Sequence, residues 1–477
     1  MKTKRVLGLV SAMILLSLSS TYVAMGRAWY NSTYPWSQNQ HDAQHTGASE
    51  STSPSDNSTL WTYDTSGSDS RARHVIVDGG RVYGIRGDSF FVLDETTGAF
   101  VLSGGAGSGY ETNVGGAYAM ENIYYTSYDI YGQGTIYCYN ATSGDQLWTY
   151  NITQGQIRHP PTVSGNRVYV GALDNYAYCI EDGVLKWRKE LGGPIYSAPA
   201  VDGDFFCIGC NDGKLYAFNI SGAQPVSLWN FTVGNSITGP ITIKDDKVYF
   251  SGGDGYLYVL DKTNGQLIWS WKSKSDEELE IAVASGIVFV CTNINQGGLY
   301  ALYSNVTAGN YTYSSPEPRL WGDETADGSY GIAIAGNTLF YVEQNSNKLR
   351  ARSTLTGTNL WSFQLAFDAI NPIVADGHVF VADQNQIYCI GSTTIPEFTL
   401  PLTILLFGIL TLTAIGLRKR RYSPEKSFLG LNFSPHIHVR VCSYPNACTR
   451  MRVHLDGRSG VGRTLSDGRS GGQSRRK

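Results

Sequence analysis

Short hydrophobic runs separated by turn residues recur through the middle of the chain. The clearest copy begins at Gly239 and ends at Trp269. Its four runs are rich in β-branched and aromatic residues, and Asp, Asn and Gly fill the gaps between them. Runs bounded in this way are typical of strands joined by tight turns. The pattern therefore predicts a unit of four short antiparallel strands that repeats about every forty residues.

The second strand of this unit occurs eight times. Its copies begin at Val82, Ile123, Val168, Phe205, Val248, Val288, Phe340 and Val379. The last unit stops near Gly391 without a fourth strand, and an unassigned strand around Trp61 precedes the first unit. Because an open edge strand invites aggregation, we expect the Trp61 strand to complete the last unit. The prediction is an all-β, eight-bladed β-propeller of four-stranded blades, closed by an N-terminal strand. Seven blades, with the 79–102 unit outside the ring, is the alternative.

The turn between the third and fourth strands carries a repeated motif. The stretch from Val259 to Trp269 resembles the tryptophan-docking motif A-x-D-x-x-T-G-x-x-x-W of pyrroloquinoline-quinone-like (PQQ-like) repeats. Glycine permits a positive φ in this turn, and tryptophan covers the apolar gap between neighbouring blades. The docking positions are Gly144, Gly265, Gly357, Trp61, Trp148, Trp187, Trp229, Trp269, Trp321 and Trp361. The resemblance implies the fold and says little about activity.

The start of the chain predicts export. Lys2, Lys4 and Arg5 precede a short apolar run, and small residues follow it. This layout is typical of a cleaved secretory signal peptide over residues 1–28, with an uncleaved anchor as the alternative. Residues 29–59 resemble the lead-in of secreted PQQ-like proteins, and residues 60–395 form the predicted propeller.

A second hydrophobic segment lies near the C-terminus. Residues 399–417 contain no charge, and the basic cluster 418–421 follows at once, which predicts a transmembrane helix that leaves the propeller outside the cell. Pro396, Glu397 and Phe398 precede the helix, so residues 396–421 resemble the PEF-CTERM sorting signal of archaeal surface proteins. The resemblance implies cleavage by an archaeosortase and a lipid anchor. A retained single-pass helix is the alternative.

Residues 422–477 form a basic tail with no sustained periodicity, which predicts disorder. We favour the interpretation that this tail is an extension without a function. The alternative is a basic arm that binds anionic lipid or nucleic acid.

Elsewhere the charge is negative: residues 27–396 hold 20 Lys and Arg against 36 Asp and Glu, a net charge of −16. Such a surface repels phosphate backbones, so no nucleic-acid partner is expected for the propeller.

Asn-X-Ser/Thr sequons agree with an outside location and predict N-glycosylation. They occur at Asn31, Asn57, Asn140, Asn151, Asn219, Asn230, Asn305 and Asn310.

Candidate catalytic groups each have a simpler structural explanation. Quinoprotein dehydrogenases with this repeat typically join two adjacent cysteines at the cofactor, and this chain has no adjacent pair. Cys207 and Cys210 lie on a predicted strand, where a redox role is not expected. His41 and His45 could share a metal, but the lead-in resemblance is the better explanation. We interpret Asp212-Gly213 and Asp254-Gly255 as hairpin turns, and Asp276-Glu277-Glu278 as a solvated loop. Cys138, Cys179 and Cys389 occupy the small core slot of the motif.

The sequence therefore predicts no catalytic, cofactor-binding or metal-binding residues. The leading hypothesis is a non-catalytic cell-surface propeller that serves as a binding scaffold for protein or glycan partners, held by a C-terminal helix or lipid anchor. The alternatives are a quinoprotein dehydrogenase or other propeller enzyme, and a structural cell-envelope component. Binding is expected at the mouth of the central channel or on the long loops of the second and sixth units.

Overall fold

The structure is a computed structural model in which two units can be described. The described residues are 34–66, 74–86, 89–105, 112–292, 297–306, 308–326, 328–329, 331–343, 345–367, 369–392, 436–444 and 447–454. The first unit lies within residues 1–395 and the second within 396–477. The predicted signal peptide, the PEF motif, the C-terminal hydrophobic helix and the basic stop all lie outside these residues. No helix in the described ranges has the length and apolar character needed to cross a membrane.

The first unit is built from eight sheets, each with four antiparallel strands, and in seven of them these four strands come from one repeat. Two strands precede the first repeat: β1 (Ala48–Ser49) and β2 (Thr59–Asp64). Blade A contains β3 (His74–Asp78), β4 (Arg81–Arg86), β5 (Ser89–Asp94) and β6 (Phe100–Gly105). Blade B contains β7 (Thr112–Ala119), β8 (Asn122–Tyr128), β9 (Gly134–Asn140) and β10 (Gln146–Ile152). Blade C contains β11 (Thr162–Ser164), β12 (Arg167–Gly171), β13 (Tyr176–Glu181) and β14 (Val184–Glu190).

The remaining blades follow the same order. Blade D contains β15 (Ala200–Asp202), β16 (Phe205–Gly209), β17 (Lys214–Asn219) and β18 (Val226–Thr232). Blade E contains β19 (Ile241–Lys244), β20 (Lys247–Ser251), β21 (Tyr256–Asp261) and β22 (Leu267–Lys272). Blade F contains β23 (Leu279–Ala284), β24 (Ile287–Thr292), β25 (Leu299–Tyr303) and β27 (Arg319–Asp323), with β26 (Gly309–Thr312) inserted. Blade G contains β28 (Ile332–Ala335), β29 (Thr338–Glu343), β30 (Lys348–Ser353) and β31 (Asn359–Gln364). Blade H contains β32 (Ala369–Ala375), β33 (His378–Asp383) and β34 (Gln386–Ile390), and β2 is its fourth strand.

The N-terminal strand closes the ring. β2 pairs antiparallel with β34, and Trp61 stands opposite Cys389. The Trp61 indole is buried, and its Nε1 donates a hydrogen bond of 2.8 Å to the Glu95 carbonyl in blade A. Closure by an N-terminal strand and the count of eight blades are both confirmed. The seven-bladed alternative is wrong, because blade A lies inside the closed ring.

Tryptophan docking repeats between neighbouring blades. Trp229 Nε1 donates to the Lys262 carbonyl at 2.9 Å, and Trp321 Nε1 donates to the Thr354 carbonyl at 2.8 Å. Each indole lies against the glycine of that turn, Gly265 (φ 70°) or Gly357 (φ 69°). A Cβ at Gly265 would lie 2.5 Å from the Trp229 ring, so the indole requires glycine there both for space and for the positive φ. The other docking positions also lie at blade junctions: Trp148 contacts Gly183, Leu102 approaches Gly144, and Trp269 and Trp361 bond the carbonyls of Ser304 and Pro54.

Two parallel strands extend the blades beyond the predicted pattern. β26 pairs with β22 on the outer edge of blade E, and β1 pairs with β28 on the inner edge of blade G. β26 comes from the long loop of the sixth repeat, and it covers an edge that would otherwise be unpaired.

Within the basic tail of residues 422–477, the structure describes residues 436–444 and 447–454. β35 (His436–Tyr444) and β36 (Ala447–His454) form an antiparallel two-stranded sheet. Ile437, Val439 and Val441 alternate with polar residues, and this alternation is the period of a strand.

Replacement of Trp61 tests the closure. The change Trp61→Ala removes a buried indole between blades H and A, so the free energy of unfolding should fall by about 3–5 kcal/mol. Chemical denaturation measures this change. Thr62→Ala, an exposed position on the same strand, is the control and should change the free energy by no more than about 0.5 kcal/mol. Equal stability of the two variants would contradict closure by Trp61.

Candidate functional site

The lead-in crosses the innermost strands of all eight blades. We call residues 36–51 the collar. Backbone amides of successive blades donate to it: Val77 to the Trp36 carbonyl, Tyr118 to Ser37, Val163 to Gln38 Oε1, Val201 to Ala43, Ile243 to Gln44, Val283 to Thr46, Ile334 to Gly47 and Gly377 to Ser51 Oγ. The contacts lie at the ends of the first strands, beside the turns to the second strands. The collar therefore closes one end of the central channel.

Side chains inside the collar hold its bend. The Asp42 carboxylate accepts hydrogen bonds from the Thr46 amide at 3.0 Å and from Thr46 Oγ1 at 2.6 Å. Burial tends to raise the pKa of Asp42, but the bonds from His41 and Thr46 outweigh this effect, and the net pKa is lowered. His41 Nδ1 lies 3.1 Å from Asp42, whereas His45 Nε2 lies 3.1 Å from Thr162 Oγ1. The two histidines thus have different partners and do not converge on one point.

The channel above the collar is a cavity of about 250 Å³. Each blade contributes a residue at the start of its first strand, in the order His74, Gly116, Pro160, Ala198, Pro240, Glu280, Gly331 and Asn371. Trp36, Gln38 and Gln40 of the collar form its floor. Polar side chains reach the cavity from blades F, H and A (Glu280, Asn371 and His74) and from the segment before blade C (Arg158 and His159). Small or apolar residues of blades B to E line the wall between these two polar groups.

Two titratable groups in this cavity are held neutral. Burial, with the nearby charge of Glu278, raises the pKa of Glu280 to about 8. Burial, with His45 and His74 nearby, lowers the pKa of His159 to about 4. Because an enclosed channel disfavours charged forms, at neutral pH Glu280 is mainly a carboxylic acid and His159 is a neutral imidazole.

Glu278 supports the mouth of the channel. Its carboxylate accepts hydrogen bonds from the Thr238 amide at 2.9 Å, from Thr238 Oγ1 at 2.6 Å and from the Gly239 amide. These bonds tie the segment before β23 to the segment before β19. The interpretation of residues 276–278 as a solvated loop is therefore wrong for Glu278. It fits Asp276, whose side chain is 92% exposed and pairs with Lys272.

The cysteines are buried and unbridged. Cys207 and Cys210 are free thiols, as are Cys138, Cys179 and Cys389. Burial raises the pKa of Cys210 to about 11 and raises that of Cys207 further. Such thiols carry little thiolate at neutral pH, which argues against a redox role for this pair.

The Asp-Gly pairs form the predicted hairpin turns. Asp212 Oδ2 accepts a hydrogen bond from Tyr216 at 2.6 Å, and Asp254 Oδ2 accepts one from Tyr258 at 2.7 Å. Both carboxylates are therefore engaged inside their own blades.

The end of the channel opposite the collar opens on a face with an apolar projection. The turn between β16 and β17 lines the mouth through Asn211, and the equivalent loop between β8 and β9 lies on the same face. Ile130 and Tyr131 at the tip of the latter loop are 76% and 88% exposed. Arg158 of the channel wall donates to Tyr128 Oη at 2.6 Å, which places this loop beside the mouth. We call this surface the open face.

Comparison with known proteins identifies the family. Residues 50–226 and 223–312 match the family described as "Outer membrane protein assembly factor BamB", which is built from PQQ-like repeats. The chain belongs to this family.

Individual relatives are distant and are matched over part of their length. The outer membrane protein assembly factor BamB of Yersinia pestis is 26% identical over 271 residues, 53% of this chain and 67% of that protein. BamB of Burkholderia pseudomallei is 25% identical over 179 residues, 36% of this chain and 45% of that protein. A tetrathionate hydrolase of Acidithiobacillus ferrooxidans is 23% identical over 48% of this chain and 54% of its own length.

Solved structures support the architecture alone. BamB from Moraxella catarrhalis superposes with a TM-score of 0.57 at 14% identity, over 71% of this chain and all of that chain. The quinohemoprotein alcohol dehydrogenase of Comamonas testosteroni superposes with a TM-score of 0.59 at 13% identity, over 76% and 82%. At this identity, both structures show a shared fold and carry no argument about activity.

Sequence reasoning named the channel mouth but missed its residues. Glu280 lies three residues before Val283, as Pro240 lies three residues before Ile243, and both Val283 and Ile243 bond the collar. A carboxyl group thus stands where five of the other seven repeats carry Pro, Gly or Ala. Aligning the repeats on their collar contacts would have revealed this position, but the sequence does not show those contacts.

His45 makes the stability of the folded chain depend on pH. Burial lowers the pKa of His45 from 6.5 to about 4. Below pH 6.5 the unfolded chain therefore binds a proton at this residue, whereas the folded chain does not. The wild type should therefore lose stability as pH falls from 6.5 to 4, by up to about 3 kcal/mol from this group.

Replacement of His45 by glutamine, which can still donate to Thr162, should flatten this dependence. Denaturant unfolding at several pH values measures the difference between the two proteins. Parallel pH profiles for wild type and His45→Gln would contradict the assignment.

Proposed function

We propose that the chain is a non-catalytic scaffold that holds a protein partner on the open face of its propeller. The family match to an assembly factor carries this proposal. Two relatives are named as outer membrane protein assembly factors, a role of bringing proteins together. A rigid propeller suits such a role, because its loops are held by a framework of paired strands.

The loop tip at Ile130 and Tyr131 is the strongest local support. Tyrosine offers a large contact area together with a hydroxyl group and is enriched at interfaces between proteins. Ile130 and Tyr131 lie side by side at the tip of the loop, and each is more than three quarters exposed. Such large side chains suit insertion into a pocket of a partner protein. A surface glycan is the second kind of partner that an aromatic tip beside a polar mouth could bind.

Site-specific photo-crosslinking in the native cell tests this function. A photoreactive residue at Tyr131 of the full chain should give a discrete adduct with one protein. The same residue at Met120, which is 66% exposed in the turn between β7 and β8 at the collar end, is the matched control and should give none. Tyr131→Ser should then weaken binding to the identified protein at least about tenfold.

The outcomes separate the alternatives. A glycan adduct at Tyr131 would show that the partner bound on the open face is a glycan and not a protein. Equal labelling at both positions would favour a structural envelope component without a defined docking face.

We further propose that the propeller stands on the outer face of the cell membrane. The signal-peptide layout, the PEF tripeptide at Pro396, Glu397 and Phe398, and the basic stop support this location. Exposed sequons support N-glycosylation there, at Asn57, Asn151, Asn230, Asn305 and Asn310. Asn140 and Asn219 are instead half-buried, which makes them poorer acceptors for a glycan.

Mass spectrometry of envelope material tests the anchoring. If an archaeosortase processes the chain, a lipid-bearing C-terminal peptide should end near Glu397. Mature protein should then contain no peptide from residues 415–422. Recovery of an intact peptide that spans Gly416, Leu417 and Arg418 from the mature form would show a retained helix and contradict processing.

A further inference from the structure

The channel contains hydrogen-bond acceptors that the protein leaves unused. Gln40 Oε1 and Asn371 Oδ1 are buried and make no hydrogen bond. Both residues line the same cavity as Glu280. Within the described residues, the Glu280 carboxyl lies near the like charge of Glu278 and has no hydrogen-bond donor. A buried acceptor without a donor is costly, so Gln40 Oε1 and Asn371 Oδ1 call for a ligand that donates, and Glu280 lines the same cavity.

The shape of the cavity indicates an organic ligand. Its volume of about 250 Å³ exceeds the space of a single ion, and Trp36, Pro160, Pro240 and Ile373 give it apolar wall. The acceptors come from the collar and from blades F and H. A hard metal ion needs about six or more oxygens converging at short distance, whereas an aliphatic chain with an ammonium head can fill apolar volume and donate three hydrogen bonds.

The charge of the surroundings selects a cation. Glu278 lies at the channel mouth, and residues 27–396 carry a net charge of −16. The cationic Arg158 of the channel wall is engaged by Tyr128 and Gln156 at 2.6 Å each. An entering ammonium group is attracted by this field, and a carboxylate ligand is repelled.

We propose that the central channel is a binding site for an aliphatic primary ammonium group, with Glu280 as its counter-ion and Gln40 and Asn371 as further acceptors. This site is separate from the protein-docking role, since it lies inside the channel and the docking tip lies on the open face. The ammonium group belongs to a free small amine or to a lysine side chain that enters the mouth.

Binding of the ammonium group should release a proton. Glu280 is mainly protonated at neutral pH and must ionise to pair with the cation. Affinity should therefore rise as pH increases towards 8 and level off above it. The titratable or charged groups around Glu280 are Glu278 on its own segment, Cys291 on β24, and His74, Arg158 and His159 on the channel wall. His159, with its pKa of about 4, stays neutral through this pH range.

Calorimetry on the full chain in non-ionic detergent tests the site, with 1,5-diaminopentane as the probe. Two molecules of the same length serve as controls: 1,5-pentanediol, which lacks the charge, and glutarate, which reverses it. The diamine should bind at least about tenfold more tightly than either control. Titrations at pH 7 in buffers of different ionisation enthalpy should show release of close to one proton. N-acetyl-lysine methylamide distinguishes the sources: binding as tight as the diamine assigns the site to a lysine side chain, and weaker binding assigns it to a free amine.

Two matched variants complete the test. Glu280→Gln replaces a neutral acid by a neutral amide of the same shape, so its thermal unfolding should match the wild type. Its affinity for the diamine should fall at least about tenfold, and the proton release should disappear. Glu277→Gln, an exposed neighbour, should behave as the wild type. Equal binding of pentanediol, unchanged binding by Glu280→Gln, stronger binding of Ca²⁺ than of the diamine, or no binding of the diamine up to about 10 mM would each overturn the proposal.

Discussion

The contact of a tryptophan with the glycine turn of the next blade determines the architecture of this protein. The indoles fill the wedges between sheets, and five of them (Trp61, Trp229, Trp269, Trp321 and Trp361) donate the N–H to a backbone carbonyl outside their own sheet. The contact is directional, because the fourth strand of one blade meets the turn of the next. Leu102 occupies the tryptophan position in blade A, and the ring closes where the last blade meets blade A. Trp61 supplies the indole at this junction from the other end of the chain.

Closure of the ring creates the environment of the channel. Because eight first strands face one axis, a single residue from each blade determines the character of the cavity. The protein therefore separates two demands on its sequence: the blades require aromatic and β-branched residues, and the channel is free to carry Glu280, Asn371 and His74.

The sequence predicted the structural features that recur in the repeats and missed the residues and pairings that occur only once. The Gly265 and Trp269 pattern recurs in copy after copy, so blade number, strand order and the role of Trp61 could all be derived from it. Glu278 and Glu280 have no such repetition, and an acidic run reads as a loop until the hydrogen bonds to Thr238 are known. The pairing of β26 with β22 was equally hidden, because parallel pairing of a loop to an outer edge leaves no period in the chain. A residue that occurs once, such as Glu278, has its partners on another blade. Only the three-dimensional fold shows which residues these partners are.

The collar has a consequence for the order in which the molecule folds. Its residues are made before any blade, yet Ser51 bonds Gly377 and Tyr34 bonds Asp376, 326 and 342 positions later. Contacts so far apart in the chain close large loops, and such topologies fold slowly. The last bonds of the N-terminal stretch can therefore form only after the eighth blade has been synthesised. A chain shortened by a few dozen residues within the last repeat would leave β2 without its partner strand and the collar without its final bond, so the ring would stay open.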